Sequence, residues 1–350
     1  MRVVDLRFSD DAEKGGMAED VTESRELAAL GRMAQAALTL WPVPDGARIR
    51  LINLSENATY LVQAPCGFRA VLRVHRHGYH SRRAIASELD WMDALERDAI
   101  VPTPRPIAGR DRQMIQLGHG AGLADPRHMV LFEFIDGRAP DPSHPRTALF
   151  ESLGTLAARM HGHARTWTRP DGFVRLSWDD TAVFGPHAHW GDWRAAPRVD
   201  ARLRPVLNEA EHAIRERLAA YGKGAGRFGL IHADMRLANL LVDGDKTRLI
   251  DFDDCGFGWF LYDFAAAISF IETDPAVPAL KAAWLRGYRQ VHPLAETDLA
   301  EIDTFVMLRR MALLAWIGSH MEAPEPQAMA PHFAAGTARL ARDWLARIGN

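Results

Sequence analysis

The densest group of side chains that could do chemistry lies in the segment 230–263. Asp234 follows an apolar run, Asn239 comes five residues after it, and Asp251 ends a second apolar run. Two strands that end in these side chains would place all three at one mouth of the fold. Carboxylate and amide oxygens, without cysteine or a histidine cluster, suit Mg²⁺. Phosphate oxygens and water typically complete the coordination shell of this ion. The spacing therefore predicts a magnesium site that meets phosphate.

The same residues carry a family resemblance. The pattern D-x-x-x-x-N, followed twelve residues later by D-F-x, resembles the catalytic and metal loops of the protein-kinase-like fold. His-x-Asp, with no arginine before the aspartate, is similar to the aminoglycoside phosphotransferase and choline kinase branch, and Asp263-Phe264-Ala265 resembles its D-L-A element. Over residues 25–345 the resemblance implies a bilobal α+β fold. The small N-terminal lobe would hold an antiparallel sheet plus a helix, and the C-terminal lobe would be larger and mostly helical.

The resemblance also implies a reaction and its residues. It implies ATP- and Mg²⁺-dependent transfer of the γ-phosphate to a hydroxyl group, chiefly by positioning and by neutralising phosphate charge. Asp234 would accept or orient the proton of the acceptor hydroxyl, and Asn239 and Asp251 would hold Mg²⁺. His232 and Asp263 are expected to brace the loop. The acceptor is expected to be a small hydroxylated molecule that the sequence does not identify.

A cation for the nucleotide phosphates is expected at Arg73. Residues 70–73 read A-V-L-R, similar to the V-A-I-K strand of kinases, with arginine in place of lysine. Glu88 lies on or beside the apolar stripe of the next helix, where an isolated charge would be costly, so Arg73 and Glu88 are expected to pair through an arginine fork. An ordinary strand arginine and a solvent-facing glutamate would fit the same pattern.

Two further segments resemble nucleotide contacts. Ser55 lies in the turn 54–59, in the place of a glycine-rich phosphate loop, although the turn has no glycine. The segment 133–137 resembles the interlobe hinge, where Glu133 and Ile135 would bind adenine through main-chain groups. A plain β-turn and a plain linker are the alternatives.

The periodicity of the chain predicts its organisation. Residues 1–20 are predicted to be disordered, 21–136 to form the N-terminal lobe, and 137–350 the catalytic and substrate lobe. Strands are expected at 49–54, 59–64, 68–74, 129–135, 229–232 and 247–251, and helices at 81–97, 147–164, 205–221, 262–272, 275–290, 297–319 and 331–348. Residues 166–200 read as an irregular insertion whose four tryptophans either line an acceptor pocket or pack against the helical lobe.

Composition excludes several classes of protein. A pI near 6.6 and a net charge of −3 give no basic footprint for nucleic acid. The apolar stretch 257–271 is too short for a membrane span and contains Asp263. The N-terminus lacks a signal peptide pattern, and two cysteines suit a reducing compartment, so a cytoplasmic protein is expected. The oligomeric state cannot be inferred from the sequence.

Basic residues are strongly biased toward arginine. Of 42 basic residues only Lys14, Lys223, Lys246 and Lys281 are lysines, so a cation in the small lobe must be arginine. The pair Arg309–Arg310 is predicted to lie on a solvated helix face.

Two other functions fit the same motifs. Residues 251–254 read D-F-D-D, which resembles bacterial stress-response Ser/Thr protein kinases. No long activation segment ending in A-P-E follows, which favours a small acceptor. Arg73 and the glycine-free loop would also fit a nucleotide-binding pseudokinase with a regulatory role. Asp253 and Asp254 could meet a cationic acceptor, or Asp253 could be a second metal contact.

Overall fold

The computed structural model describes residues 17–349, apart from 56, 141–145 and 245. The chain divides into two compact units, one formed by Met1–Asp93 with Pro104–Asp136 and the other by Ala94–Thr103 with Gly137–Asn350. The sequence predicted disorder over residues 1–20. Helix α1 begins at Met17, and residues 1–16 lie outside the described part of the chain.

In its described residues, the first unit consists of an antiparallel sheet and two α-helices. Its sheet runs β1-β2-β3-β6-β4, and β5 also pairs with β6. The elements in chain order are α1 (Met17–Ala37), β1 (Arg48–Leu54), β2 (Asn57–Gln63), β3 (Arg69–His75), α2 (Arg82–Arg97), β4 (Pro106–Ile107), β5 (Ile115–Gly118) and β6 (Arg127–Glu133).

Strand β3 shows why the sheet forms from this sequence. Its alternate residues Ala70, Leu72 and Val74 are buried in the unit's hydrophobic core. Arg73 therefore points to the opposite face, toward α2. The Ser81 Oγ accepts from the Ala84 N–H at 3.1 Å, which caps α2 and fixes where that helix begins.

The second unit is mostly helical. Its elements are α3 (Thr147–Thr166), β7 (Leu176–Ser177), α4 (Asp180–Phe184), α5 (Arg204–Tyr221), β8 (Phe228–Ile231), β9 (Leu240–Asp243), β10 (Lys246–Leu249), β11 (Gly256–Trp259), α6 (Tyr262–Ala267), α7 (Val277–Arg289), α8 (Glu296–Leu299), α9 (Ile302–Ser319) and α10 (Pro324–Ile348). A three-stranded sheet β7-β11-β8 and the hairpin β9-β10 carry the loops of interest.

Helices α3 and α7 cross at two glycines. A Cβ at Gly154 would lie 2.0 Å from the Trp284 carbonyl oxygen, and one at Gly287 would lie 1.8 Å from that of Glu151. The two backbones therefore approach too closely for any side chain at these positions.

The α+β fold class is confirmed, and several boundaries differ from the predictions. Helix α6 ends at Ala267, five residues earlier than expected, and Phe270 has φ +70°. The expected helix 297–319 is divided into α8 and α9, and α10 begins at Pro324. Helix α1 was not predicted. No helix in the described part of the chain is long and apolar enough to cross a membrane.

The insertion 166–200 has a defined structure. Strand β7 pairs in parallel with β11, and Trp178, Trp190 and Trp193 are buried. Trp178 packs 4.8 Å from Trp190 and 6.1 Å from Tyr262, measured between ring centroids. These three tryptophans therefore pack against the helical unit, as one of the two sequence interpretations expected.

Candidate active site

The loop after β8 is held from below by Asp263. The Asp263 carboxylate, at the start of α6, accepts from the His232 N–H at 3.1 Å and from the Ala233 N–H at 2.7 Å. Ala233 has φ +66°, a left-handed conformation that is costly for a residue with a side chain and persists only where neighbours enforce it. These hydrogen bonds supply that enforcement, so Asp263 shapes the loop, as the sequence predicted.

A buried histidine supports Asp263. The His161 Nε2 lies 2.9 Å from the Asp263 Oδ2, and its Nδ1 lies 3.0 Å from the Tyr288 hydroxyl. Burial lowers the pKa of His161 despite the adjacent carboxylate, so the imidazole is neutral. His232 is also buried, and its Nδ1 accepts from the Asp234 N–H at 3.2 Å, which is the bracing role expected for it.

Asp234 is buried and contacted on both carboxylate oxygens. Arg309 Nη2 donates to its Oδ1 at 2.6 Å, and Asn239 Nδ2 donates to its Oδ2 at 2.6 Å. Arg236 Nε lies 3.3 Å from Oδ2. Burial raises the pKa of Asp234, but the Arg236 and Arg309 guanidinium groups outweigh it and hold that pKa below its usual value. The carboxylate is therefore ionised and held in one orientation.

Asn239 and Asp251 are brought together by the main chain. Asn239 Nδ2 also donates to the Asp234 carbonyl at 2.9 Å, so the amide nitrogen faces Asp234 and the amide oxygen is the atom it can offer to a cation. The Ile250 N–H donates to the Asn239 carbonyl at 3.0 Å, which places Asp251, the next residue, beside Asn239. One amide oxygen and one carboxylate fit a hard divalent cation.

The loop that carries Asp251 is clamped by the insertion. Arg175 donates through Nε to the Cys255 carbonyl at 2.6 Å and through Nη2 to the Asp253 carbonyl. Trp178 Nε1 donates to the Asp254 carbonyl at 2.7 Å. Asp251 itself has φ +67°, so its conformation depends on such restraints. No sequence motif predicts this clamp, because its acceptors are main-chain carbonyls.

Arg73 and Glu88 form the expected pair within the first unit. Arg73 Nη1 lies 2.6 Å from Glu88 Oε1, and both residues are buried. The guanidinium also lies 5.1 Å from the Phe132 ring centroid. Glu88 Oε2 has no hydrogen-bond partner among the described residues. The pair therefore meets through one carboxylate oxygen and does not form the two-oxygen fork suggested by the sequence.

The other proposed nucleotide contacts also lie in the first unit. Ser55 follows β1, with its N–H donating to the Asn57 carbonyl at 3.1 Å and its Oγ accepting from Asn53 Nδ2 at 3.4 Å. The Glu133 N–H, at the end of β6, donates to the Arg105 carbonyl at 2.8 Å. Its carbonyl is therefore the main-chain group that Glu133 could offer to a base. Ile135 follows two residues later and is half-buried.

The prediction that Arg309 and Arg310 are solvated is wrong. Both are buried, Arg309 paired with Asp234 and Arg310 with Glu272 at 2.7 Å. Apolar residues surround this pair in the sequence of α9, and a helix that is apolar on all sides is buried. This apolar pattern could have indicated that both arginines are buried. Their partners could not be predicted, because the carboxylates that neutralise them lie more than thirty residues away in the chain.

Comparison with known proteins identifies the family of this chain. A family model described as the phosphotransferase enzyme family, APH, matches residues 48–296, a span that includes Arg73, Glu88, Asp234, Asn239 and Asp251. The chain belongs to this family.

Three kinases are similar to this phosphotransferase over most of its length. The solved structure of a microcompartment-associated aminopropanol kinase is 44% identical, with TM-score 0.83, covering 90% of this chain and 98% of that one. Amicoumacin kinase of Bacillus subtilis is 25% identical, covering 69% of this chain and 72% of its own. Homoserine kinase of Methylobacillus flagellatus is 27% identical, covering 78% of each.

These comparisons confirm the predicted activity class. The chain is a small-molecule kinase of the APH phosphotransferase family, an enzyme that transfers phosphate to a hydroxyl group. They give no support to the Ser/Thr protein kinase alternative, since the named relatives act on small molecules. A solved amicoumacin kinase structure, 20% identical with TM-score 0.72, shares the fold and holds AMP-PNP and Ca²⁺.

Proposed function

We propose that this enzyme phosphorylates the hydroxyl group of a small amino alcohol, of the aminopropanol type, with Mg-ATP. The observation that carries this proposal is the 44% identity to an aminopropanol kinase over 90% of the chain. The homoserine kinase relatives support the same acceptor class, because homoserine also carries an amine and a hydroxyl group. We place the enzyme in the cytoplasm, on the basis of its two free cysteines.

Asp234 is assigned to the acceptor hydroxyl. Its ionised carboxylate would accept a hydrogen bond from that hydroxyl and orient the oxygen toward the γ-phosphate. Because two guanidinium groups lower the pKa of Asp234, the carboxylate is a weak base. Asp234 would therefore act mainly by orienting the acceptor hydroxyl. It would accept the hydroxyl proton only as the oxygen–phosphorus bond forms.

Asn239 and Asp251 are assigned to Mg²⁺. The donor set consists of one amide oxygen and one carboxylate, which suits Mg²⁺ with phosphate oxygens and water completing its shell. Bound Mg²⁺ would supply positive charge that neutralises the nucleotide phosphates. Arg73, held by Glu88, is assigned to the phosphates, Ser55 to the phosphate loop, and Glu133 and Ile135 to adenine through main-chain groups.

Asp254 is assigned to the acceptor ammonium. It follows the metal loop, is half-buried, and its charge acts on both Arg309 and Tyr262, so it lies on the Asp234 side of this unit. A carboxylate near the acceptor hydroxyl would favour an amino alcohol over an uncharged diol. We expect Asp254→Asn to raise the KM for an amino alcohol more than tenfold while leaving the KM for ATP within twofold.

ADP release with matched acceptors tests the proposal. Aminopropanol isomers, ethanolamine, choline and homoserine each carry an amine or ammonium and a hydroxyl, whereas propanediol lacks the amine and propylamine lacks the hydroxyl. We expect kcat/KM to be highest for aminopropanol, at least tenfold lower for propanediol, and no acceptor-dependent ADP with propylamine. Equal rates for propanediol and aminopropanol would contradict an ammonium site.

A further inference from the structure

Arg309 is a buried cation that directly contacts the carboxylate assigned to the acceptor. It lies on α9, and its side chain is 3% exposed. Nη2 donates to Asp234 Oδ1 at 2.6 Å and Nε donates to Ser269 Oγ at 3.1 Å. Two donors at different ends of a rigid planar group therefore fix the guanidinium plane.

Aromatic rings exclude water from this contact. The Arg309 guanidinium lies 5.3 Å from the Trp190 ring centroid and 5.8 Å from that of Tyr262. Both rings are buried. A charged hydrogen bond in such surroundings is stronger and less mobile than one in water.

The two oxygens of Asp234 are restrained from different parts of the chain. Arg309 holds Oδ1, while Asn239 holds Oδ2 from the catalytic loop itself. With one restraint the carboxylate could still rotate about its Cβ–Cγ bond. With both, its plane is fixed.

We propose that Arg309 is a positioning residue for phosphoryl transfer, fixing the Asp234 carboxylate in the orientation in which it meets the acceptor hydroxyl. This inference rests on the proposed role of Asp234 but not on the identity of the acceptor. Loss of Arg309 would leave the base present and misaligned. The rate of transfer should fall while nucleotide binding, which uses other residues, is retained.

The neighbouring Arg310 provides a matched control. It is on the same helix, is also buried, and pairs with Glu272 and with Thr337 instead of Asp234. Arg309→Met and Arg310→Met remove the same charge at adjacent positions, so both should lower Tm. We expect Arg309→Met to lower kcat at least tenfold with Mg-ATP affinity within twofold of wild type, and Arg310→Met to leave kcat within twofold.

Three further variants distinguish a positioning role of Arg309 from a simple failure to fold. Arg309→Lys keeps the charge but its single ammonium cannot replace both donors, so kcat should lie between those of wild type and Arg309→Met. In Arg309→Ala, added guanidinium chloride at low millimolar concentration should restore part of kcat, and it should not do so in Arg310→Ala.

The Arg309 experiment can be interpreted independently of the acceptor screen. The readout is ADP release with whichever hydroxyl compound the wild type uses best, or with water as acceptor if it uses none. Failure of aminopropanol as acceptor therefore leaves this test intact. An unchanged kcat in Arg309→Met would overturn the positioning role. Equal losses of kcat in the Arg309 and Arg310 variants, without guanidinium rescue, would also overturn it and leave Arg309 a structural residue.

Discussion

Asn239 donates its side-chain amide to Asp234 twice, to the main-chain carbonyl at 2.9 Å and to the carboxylate at 2.6 Å. This contact links the residue assigned to the acceptor with a residue assigned to the metal. The amide nitrogen faces the base, so the amide oxygen is directed to the other side. One asparagine thereby fixes the orientation of the Asp234 carboxylate and of its own amide oxygen. Because these contacts are local, the spacing of five residues between Asp234 and Asn239 forms a recognisable motif.

Removal of the Asp251 carboxylate should weaken Mg-ATP binding. Asp251→Ala deletes the charged oxygen that we assign to the cation while leaving the Ile250–Asn239 hydrogen bond in place. Calorimetric titration with ATP should show at least a tenfold lower affinity in the presence of Mg²⁺. The exposed Asp243 at the end of β9 gives the control, Asp243→Ala. Unchanged Mg-ATP affinity in Asp251→Ala would remove this residue from the metal site.

Trp178→Phe tests whether the insertion holds the metal loop. The change deletes the hydrogen bond from the indole N–H to the Asp254 carbonyl. Loss of a buried hydrogen bond costs about 1–3 kcal/mol, and part of that loss should appear as Mg-ATP affinity lower by about three- to tenfold. Trp284→Phe is the control, since Trp284 is equally buried but its indole N–H has no hydrogen-bond partner among the described residues. If both variants bind Mg-ATP equally well, the clamp serves stability only.

Glu88→Gln should destabilise the first unit, because it removes the negative charge that Arg73 pairs with in a buried site. Breaking one partner of a buried ion pair typically costs about 3–5 kcal/mol of unfolding free energy. We also expect the KM for ATP to rise at least fivefold, because the ion pair with Glu88 that helps to orient Arg73 is lost. Urea denaturation and steady-state kinetics measure the two effects. Asp90→Asn on the exposed face of the same helix should change neither, and the same KM in Glu88→Gln and wild type would contradict a role for the pair with ATP.

The buried histidines predict acid sensitivity. Burial lowers the pKa of both His161 and His232 below the ordinary 6.5, so the unfolded chain binds these protons more readily than the folded one. Their stabilising contribution is complete above about pH 6.5 and is lost as pH falls below it, by up to about 1.4 kcal/mol per pH unit for each histidine.

Replacing one histidine isolates this effect. His161→Gln should lower the slope of unfolding free energy against pH between about pH 5 and 6.5, by roughly the share of one group. The exposed His187→Gln is the control. An unchanged slope in His161→Gln, measured by urea denaturation across that range, would show that His161 is not the neutral group described.

Much of the fold and of the site could be predicted because it depends on local patterns of apolar and polar residues. The alternation of Ala70, Leu72 and Val74 predicted a strand that leaves Arg73 on the other face, and the apolar stripe around Glu88 predicted its partner. Asp234, Asn239 and Asp251 follow strands or turns in fixed spacing. Each of these signals lies within about twenty residues of chain.

The remaining features depend on contacts between distant segments. Arg309 could not be assigned to Asp234, because 75 residues separate them. Likewise Arg175 and Trp178 bind carbonyls about eighty residues away, and a carbonyl has no sequence signature. Helix α6 was predicted too long because apolar periodicity continues past Ala267, whereas the backbone turns at Phe270 with φ +70°. That turn brings Ser269 to Arg309 and Glu272 to Arg310.

The most direct test of the proposed phosphoryl transfer is to identify the product. Wild-type enzyme, ATP, Mg²⁺ and aminopropanol should give a new phosphomonoester signal in phosphorus NMR, formed in equal amount with ADP. Asp234→Ala should reduce its rate of formation by about 10²-fold or more, while calorimetry shows Mg-ATP affinity close to that of wild type. A phosphomonoester formed as fast by Asp234→Ala, or ADP and inorganic phosphate with no ester in the wild type, would contradict the account.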